Sequence, residues 1–294
     1  MSTISAVLIV RNEEAMLGSC LKSLDGFDEV IVLDTGSTDK TVEIARAHGA
    51  KVCADEYKWN EDFAEARNKA QEKATGDWIF VIDADEELEP KGVKKIRQAI
   101  AYAGTANALG VWIKAKGNVS LHHQPRLYRN DPGKIHWVGM VHNYLSVLAD
   151  QQSDVVILAG SSPTHKADPD RALRMLEKAV AAHPESGRYW YYLGREYGYK
   201  KRWKDSEAAI RLCLDHSKWL TERVDAYLLL ARALWFQSRG NEAREACIRA
   251  IGLNPDFKEA ILFLGDMSHP REKKIWHRYA ALARSTGVLF RRVA

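Results

Sequence analysis

The sequence predicts a parallel α/β domain followed by an all-α domain, and three observations predict it. Short β-rich runs alternate with helical patterns over residues 1 to about 115, the order expected of a parallel sheet flanked by helices. From about Asp168 the β signal stops, and helical periodicity with internal repetition near 34 residues takes over. The length of 294 residues exceeds what one compact core usually fills. The expected division is residues 1–167 and 168–294.

In the first half the candidate strands are Ile4 to Val10, Glu29 to Leu33, Lys51 to Ala54 and Trp78 to Ile82. Helices are expected at Ala15 to Leu24, Asp39 to Ala47, Asp62 to Ala74 and Pro90 to Tyr102, with Pro90 in the first turn of the last. Ser37 or Thr38 is suited to cap the second helix, with Asp39 in its first turn. A further strand is expected at Pro125 to Arg129, followed by the block Trp137 to Asn143. Open sheets of this kind bind ligands beyond the carboxyl ends of their strands. That places Arg11, Asn12, Glu13, Asp34, Thr35, Gly36, Ser37, Asp83 and Asp85 at the candidate site.

In the second half Trp190, Leu193, Gly194 and Tyr197 form a W-x2-L-G-x2-Y face, in which the glycine lets two helices approach. Ala172 precedes Pro184, and Ala243 precedes Pro255, by the same interval, with Ala179 and Ala250 at the intervening packing positions. A third start at Ile261, Leu264 and Gly265 fades out. The pattern resembles the tetratricopeptide family over residues 168 to about 265, with a plain helical bundle as the simpler alternative.

Composition narrows the function classes. No stretch approaches the roughly 20 apolar residues of a membrane-spanning helix, and Met1 to Val10 runs straight into a strand pattern, so a soluble, cytoplasmic protein is expected. The four cysteines, Cys20, Cys53, Cys213 and Cys247, are scattered without a CxxC pair and fit apolar faces as reduced thiols. The net charge of +4 conceals halves of −4 (residues 1–167) and +8 (residues 168–294). Solvated outer helix faces account for the basic half more simply than an acidic partner does.

The chemistry centres on Asp83, Ala84 and Asp85. They follow an apolar run, so two carboxylates one residue apart leave the chain on the same side. Mg2+ or Mn2+ is commonly held by one or two carboxylates plus substrate phosphate oxygens. Neither G-x-G-x-x-G nor G-x-x-x-x-G-K-[ST] is present, so a bound metal has to do the phosphate work.

Val10, Arg11, Asn12, Glu13 and Glu14, then Val32 to Asp39, then Asp83, Ala84, Asp85 and Glu86 resemble family-2 glycosyltransferases of the GT-A fold, in order and spacing. Trp59 to Asn68 resembles the branch that carries a tetratricopeptide tail. The resemblance implies a nucleotide-diphosphate sugar donor, UDP-sugar favoured, and inverting transfer. It implies that Asp34 reads the nucleobase, Glu13 helps to hold the nucleoside, Asp83 and Asp85 serve ribose and metal, and Arg67 faces the diphosphate with Asn68 beside it. Val10, Arg11, Asn12, Gly36, Ser37, Ala84 and Arg126 complete the expected donor site. His142 is a candidate metal ligand or diphosphate contact.

In the family the second block commonly ends in His-Glu, whereas here it ends in His142-Asn143. An amide cannot take an acceptor's proton. Glu86, Glu87 and Asp131 are the candidate bases beside the catalytic Asp85, with His122 and His123 behind them; an already acidic acceptor such as a thiol needs no strong base. A protein or peptide acceptor presented by the helical half is the leading expectation. A nucleic acid carrying a hydroxymethyl base is the alternative acceptor, and a non-catalytic tetratricopeptide scaffold is the remaining reading.

Overall fold

The computed structural model describes residues 2–115, 121–163 and 168–283. The chain divides into two compact units, Met1–Pro169 and Asp170–Ala294. The anticipated boundary adjoins residues 164–167, which lie outside the described residues.

The first unit contains β1 (Ile4–Val10), α1 (Leu17–Ser23), β2 (Glu29–Asp34), α2 (Thr41–Ala47), β3 (Lys51–Cys53), α3 (Phe63–Gln71) and β4 (Trp78–Val81). It continues through β5 (Glu86–Leu88), α4 (Gly92–Tyr102), β6 (Ala108–Ala115), β7 (Leu121–Arg129), β8 (Trp137–Val138), β9 (Tyr144–Leu145) and β10 (Gln151–Ala159). Eight strands form one sheet in the order β3-β2-β1-β4-β7-β6-β10-β5, and β8 and β9 form a separate hairpin. β1 runs parallel to β2 and β4, whereas β7 is antiparallel to both β4 and β6. The amino-terminal half of β7 therefore extends past the carboxyl end of β4, where ligands of such sheets bind.

β4 is a continuous apolar run, and β1 is apolar except for Ser5, because both of their faces are covered. Side chains alternate across the sheet. Leu8 and Phe80 pack with Leu17 and Ile96 on one face, while Val7 and Ile79 pack with Ala66, Tyr128 and Trp137 on the other.

The four expected strands and four expected helices of this half all form, with differences at their ends. α4 starts at Gly92, not Pro90, because Lys91 adopts a left-handed backbone (φ 67°). A Cβ at Gly92 would lie 2.4 Å from Leu88 Cγ, so a glycine is required where the chain turns off β5. Neither Ser37 nor Thr38 caps α2: Lys40 stands at the cap without a side-chain bond. Asp39 instead accepts from the Thr41 amide at 3.0 Å and the Thr41 hydroxyl at 2.5 Å. β5, β6, β9 and β10 have no counterpart among the expected strands.

The second unit contains α5 (Arg171–Ala182), α6 (Gly187–Tyr199), α7 (Trp203–His216), α8 (Leu220–Trp235), α9 (Gly240–Leu253), α10 (Lys258–Asp266) and α11 (Pro270–Leu282). A Cβ at Gly194 would lie 2.6 Å from Ile210 Cδ1, so the glycine sets the approach of α6 to α7. Ala179, Ala243 and Ala250 are fully buried at the small-residue positions. The third start does not fade: Gly265 lies against His277 and Trp276, which extends the helix pairing to α10 and α11. All four cysteines are buried and free, and among the described residues no helix is long and apolar enough to cross a membrane.

Candidate active site

The loops after β1 and β2 are fastened together by their polar side chains. Asn12 donates its amide to Ser37 Oγ (2.9 Å), and Thr38 donates its amide to Asn12 Oδ1 (2.8 Å). Glu13 donates its amide to Thr41 Oγ1 at 2.8 Å, and its carbonyl accepts from Met16 and Leu17 at the start of α1. Asn12 takes a left-handed conformation (φ 55°), one of the few non-glycine residues to do so, and its side chain secures the turn. Between these loops Asp34 accepts at Oδ2 from the amides of Gly36 and Ser37, both at 3.0 Å. Its other oxygen, Oδ1, is buried and has no hydrogen-bond partner.

Beyond β4, Asp83 is held from two sides. Arg67 on α3 donates to Asp83 Oδ1 at 2.7 Å, and Arg126 on β7 donates to Asp83 Oδ2 and Glu86 Oε1, each at 3.3 Å. Glu86 closes the turn by accepting the Asp83 amide at Oε2 (2.9 Å) while donating its own amide to the Asp83 carbonyl (3.0 Å). Burial alone would raise the Asp83 pKa, but the two guanidiniums overcome it and hold the group well below the usual carboxylate range. Glu86 goes the other way. Burial outweighs Arg126, the Asp83 charge adds to it, and the Glu86 pKa is pushed up to about 7.

Arg126 reaches this position through a slip in register. Leu109 pairs with Leu127 and Gly110 pairs with Pro125, which leaves Arg126 as an extra residue in β7. Such bulges re-aim side chains. Nothing in the alternation of residues 121–129 marks the slip. The end of β10 completes the turn around Asp85: Gly160 donates its amide to the Asp85 carbonyl (2.8 Å) and Ser162 donates its amide to Asp85 Oδ2 (3.1 Å). A Cβ at Gly160 would lie 2.4 Å from that carbonyl oxygen. Gly160 and Ser162, about 75 residues away in sequence, escape a motif reading for that reason.

The β8–β9 hairpin docks on α3. Asn68 accepts the Trp137 amide at 2.7 Å and donates to the Trp137 carbonyl at 3.0 Å, and Phe63 donates its amide to the Met140 carbonyl at 2.9 Å. The Trp137 ring lies 4.8 Å from the Arg67 guanidinium and donates through Nε1 to the Tyr128 hydroxyl, which in turn bonds Gln71. Arg67 is thereby fixed by an aromatic face on one side and Asp83 on the other.

Comparison with known proteins decides the family. Residues 5–159 match Glycosyl transferase family 2. The chain belongs to that family. A TPR repeat-containing protein of Synechococcus elongatus is 35% identical over 205 residues, 63% of this chain and 50% of that protein. The SPbeta prophage-derived glycosyltransferase SunS of Bacillus subtilis is 29% identical over 248 residues, 79% of this chain and 58% of that one. The chain thus spans about half the length of the curated relatives it matches. Among solved structures, glucosyl-3-phosphoglycerate synthase from Mycobacterium tuberculosis with Mn2+, UDP and glucosyl-3-phosphoglycerate matches 39% of this chain and 43% of its own, at 31% identity and a TM-score of 0.33. Staphylococcus aureus TarS matches 86% of this chain and 53% of its own at 15% identity and a TM-score of 0.43.

Within this family 2 domain the expected site residues separate into groups. Val10, Asn12, Glu13, Asp34, Gly36 and Ser37 gather at the ends of β1 and β2, next to exposed Arg11; Arg67, Asp83, Ala84, Asp85, Glu86 and Arg126 gather at the end of β4. Ala84 points into the core, opposite the two acids. Asn68, expected to present donors to a diphosphate, spends its amide on Trp137 instead. Asp131 lies at the wrong end. Arg129 pairs with Trp78 at the amino end of β4, so Asp131 follows beyond the edge of the sheet opposite Asp83. Glu87 alternates with Glu86 on β5 and lines a separate cleft of about 1520 Å³ with Ser19, Lys22 and Lys91. None of Asp34, Asp83, Asp85, Arg67 or Arg126 lines that cleft. His142 has a left-handed backbone (φ 50°) in the β8–β9 turn.

Among the described residues no group of three or more His, Cys, Asp or Glu side chains is gathered to hold a metal ion. Both Asp83 oxygens are engaged by arginine. The chemistry still fits a hard cation that takes most of its ligands from substrate phosphate, with Asp85 as the protein carboxylate.

Proposed function

We propose that the chain transfers a sugar from a nucleotide-diphosphate sugar, UDP-sugar first among them, to a macromolecular acceptor, a protein or peptide engaged by the helical unit. The observation that carries the donor half of this reading is Asp34 Oδ1, a buried carboxylate oxygen with no partner at the strand-end edge that also bears Asp83 and Asp85. Buried polar atoms are normally satisfied, and the imide N–H of uracil supplies the missing donor. The names of the relatives, a glycosyltransferase and a TPR repeat-containing protein, support the same reading.

In this mechanism Asp85 would hold Mn2+ or Mg2+, and the ion would neutralise the diphosphate leaving group. Arg67 and Arg126 each keep buried N–H groups without partners, Nε and Nη1 of Arg67 and Nη1 of Arg126, and these donate to the departing phosphate oxygens. The acceptor's lone pair forms a bond to the anomeric carbon as the carbon–oxygen bond to the diphosphate breaks, with inversion, and the acceptor's proton passes to solvent. Glu86, buried and bonded to Asp83 and Arg126, positions the turn and does not take the acceptor's proton. A site so arranged asks least of the protein when the acceptor is acidic, as a thiol is. With its cysteines reduced, the enzyme works in the cytoplasm.

A thermal-shift panel of nucleotides and nucleotide sugars with and without Mn2+ tests the reading. A ligand at 100 times its Kd adds about 2.7 kcal/mol of stability. Stabilisation by UDP-sugars that requires Mn2+ is expected. No response to any nucleotide sugar would exclude the proposal.

A further inference from the structure

From the geometry we infer that His122 is a specificity-determining residue, whose Nδ1–H donates a hydrogen bond to an oxygen of the transferred sugar. This rests on the donor reading above and extends it to a strand that no motif marks.

Sheet order gives the position. From β2, which bears Asp34, the sheet passes through β1 to β4, which leads into Asp83 and Asp85, and then to β7. Adjacent strands are about 4.8 Å apart, so β7 lies about 14 Å from the nucleobase end. A donor laid along this edge with its base at Asp34 and its diphosphate at β4 puts its sugar at β7. There the chain continues outward from Arg126 through Gln124 to His122, past the carboxyl end of β4.

The hydrogen bonds give the polarity. Arg126 Nε can only donate, and it lies 2.9 Å from the Gln124 side chain, so the atom it meets is the amide oxygen. The Gln124 amide nitrogen must then donate across the 3.0 Å contact to His122 Nε2. That nitrogen is consequently unprotonated, and the proton of the neutral ring sits on Nδ1. Loss of solvation, with the Arg126 charge next and His123 after it, lowers the His122 pKa and favours the neutral ring. The ring is exposed, and Nδ1 has no hydrogen-bond partner among the described residues. The arginine that clamps Asp83 thus also dictates which nitrogen of His122 can donate.

Calorimetric titration of UDP and of UDP-sugars into the full chain with Mn2+, for wild type, His122→Ala and His122→Asn, tests the assignment. Asparagine keeps an N–H near the Nδ1 position. His122→Ala is expected to leave UDP affinity unchanged and to weaken UDP-sugar binding about 3- to 10-fold, the worth of one hydrogen bond. His122→Asn is expected to recover most of that loss. Equal UDP-sugar affinity in wild type and His122→Ala overturns the inference while leaving the donor reading intact. Failure of wild type to bind either UDP or any UDP-sugar overturns the donor reading itself. Nitrogen-15 NMR of the His122 ring provides a measurement free of activity: a protonated Nδ1 is expected, and a ring protonated only at Nε2 overturns the relay.

Discussion

Arg67 and Asp83, sixteen residues apart, meet in a direct 2.7 Å ion pair between α3 and the turn that follows β4. The pair ties a helix outside the D-x-D motif to the motif's first acid, and Arg126 ties a distant strand to the same carboxylate. The turn after β4 is assembled by cations from two other elements.

Loss of one cation should be costly. Arg126 and Glu86 are both buried, and removing one partner of a buried pair typically costs about 3–5 kcal/mol because a charge is left uncompensated. Arg126→Met should lose about 3 kcal/mol in denaturant unfolding of the chain. Combining Arg126→Met with Glu86→Leu should recover part of that loss, since the buried acid that Arg126 neutralised is then gone as well.

Stability should also carry the Glu86 signature in pH. Its folded pKa of about 7 exceeds the ordinary 4.5, so the folded chain holds this proton more tightly. Its contribution is full below about pH 4.5 and is lost as pH rises through 7. Asp83 has the opposite sense: its contribution is present above its ordinary pKa of 3.8 and is lost as pH falls through its depressed folded value. Glu86→Gln should therefore flatten the decline between about pH 4.5 and 7 in a stability–pH profile while leaving the acid limb in place.

Much of this was legible in the residues. β1 to β4 show as apolar runs bounded by polar turns, and the Asp34 and Asp83 blocks stand where those runs end. Gly194 announces the close helix pair through its spacing from Trp190 and Tyr197. The rest depends on pairing between distant segments. The slip that aims Arg126, the closure of Gly160 and Ser162 over Asp85 and the capture of Trp137 by Asn68 are tertiary events. The position of Asp131 follows from strand direction, which local pattern does not encode.

Gly160→Ala tests the closure. The added Cβ would collide with the Asp85 carbonyl, and overpacking of this kind costs about 1–3 kcal/mol. The variant should fold with lowered thermal stability and show a rise in the Mn2+ concentration needed for half-maximal donor turnover. An unchanged metal requirement would separate the β10 end from the metal site.

Asp34→Asn tests the base contact. An amide can still accept from the Gly36 and Ser37 N–H groups through its oxygen, but it places an NH2 where Oδ1 stands. Two donors then face each other. UDP affinity measured by calorimetry should fall at least about 10-fold, in line with the penalty for an unpaired buried group, with little change in melting temperature.

The sharpest check on the mechanism is donor turnover by wild type and Asp85→Asn in matched buffers with Mn2+ and with a chelator. Wild type should release UDP from a UDP-sugar with Mn2+ and cease to do so on chelation. Asp85→Asn should lose at least about 100-fold in rate, the scale of one strong transition-state contact. Turnover that persists in the chelator, or survives the substitution at the wild-type rate, would refute a metal held by Asp85.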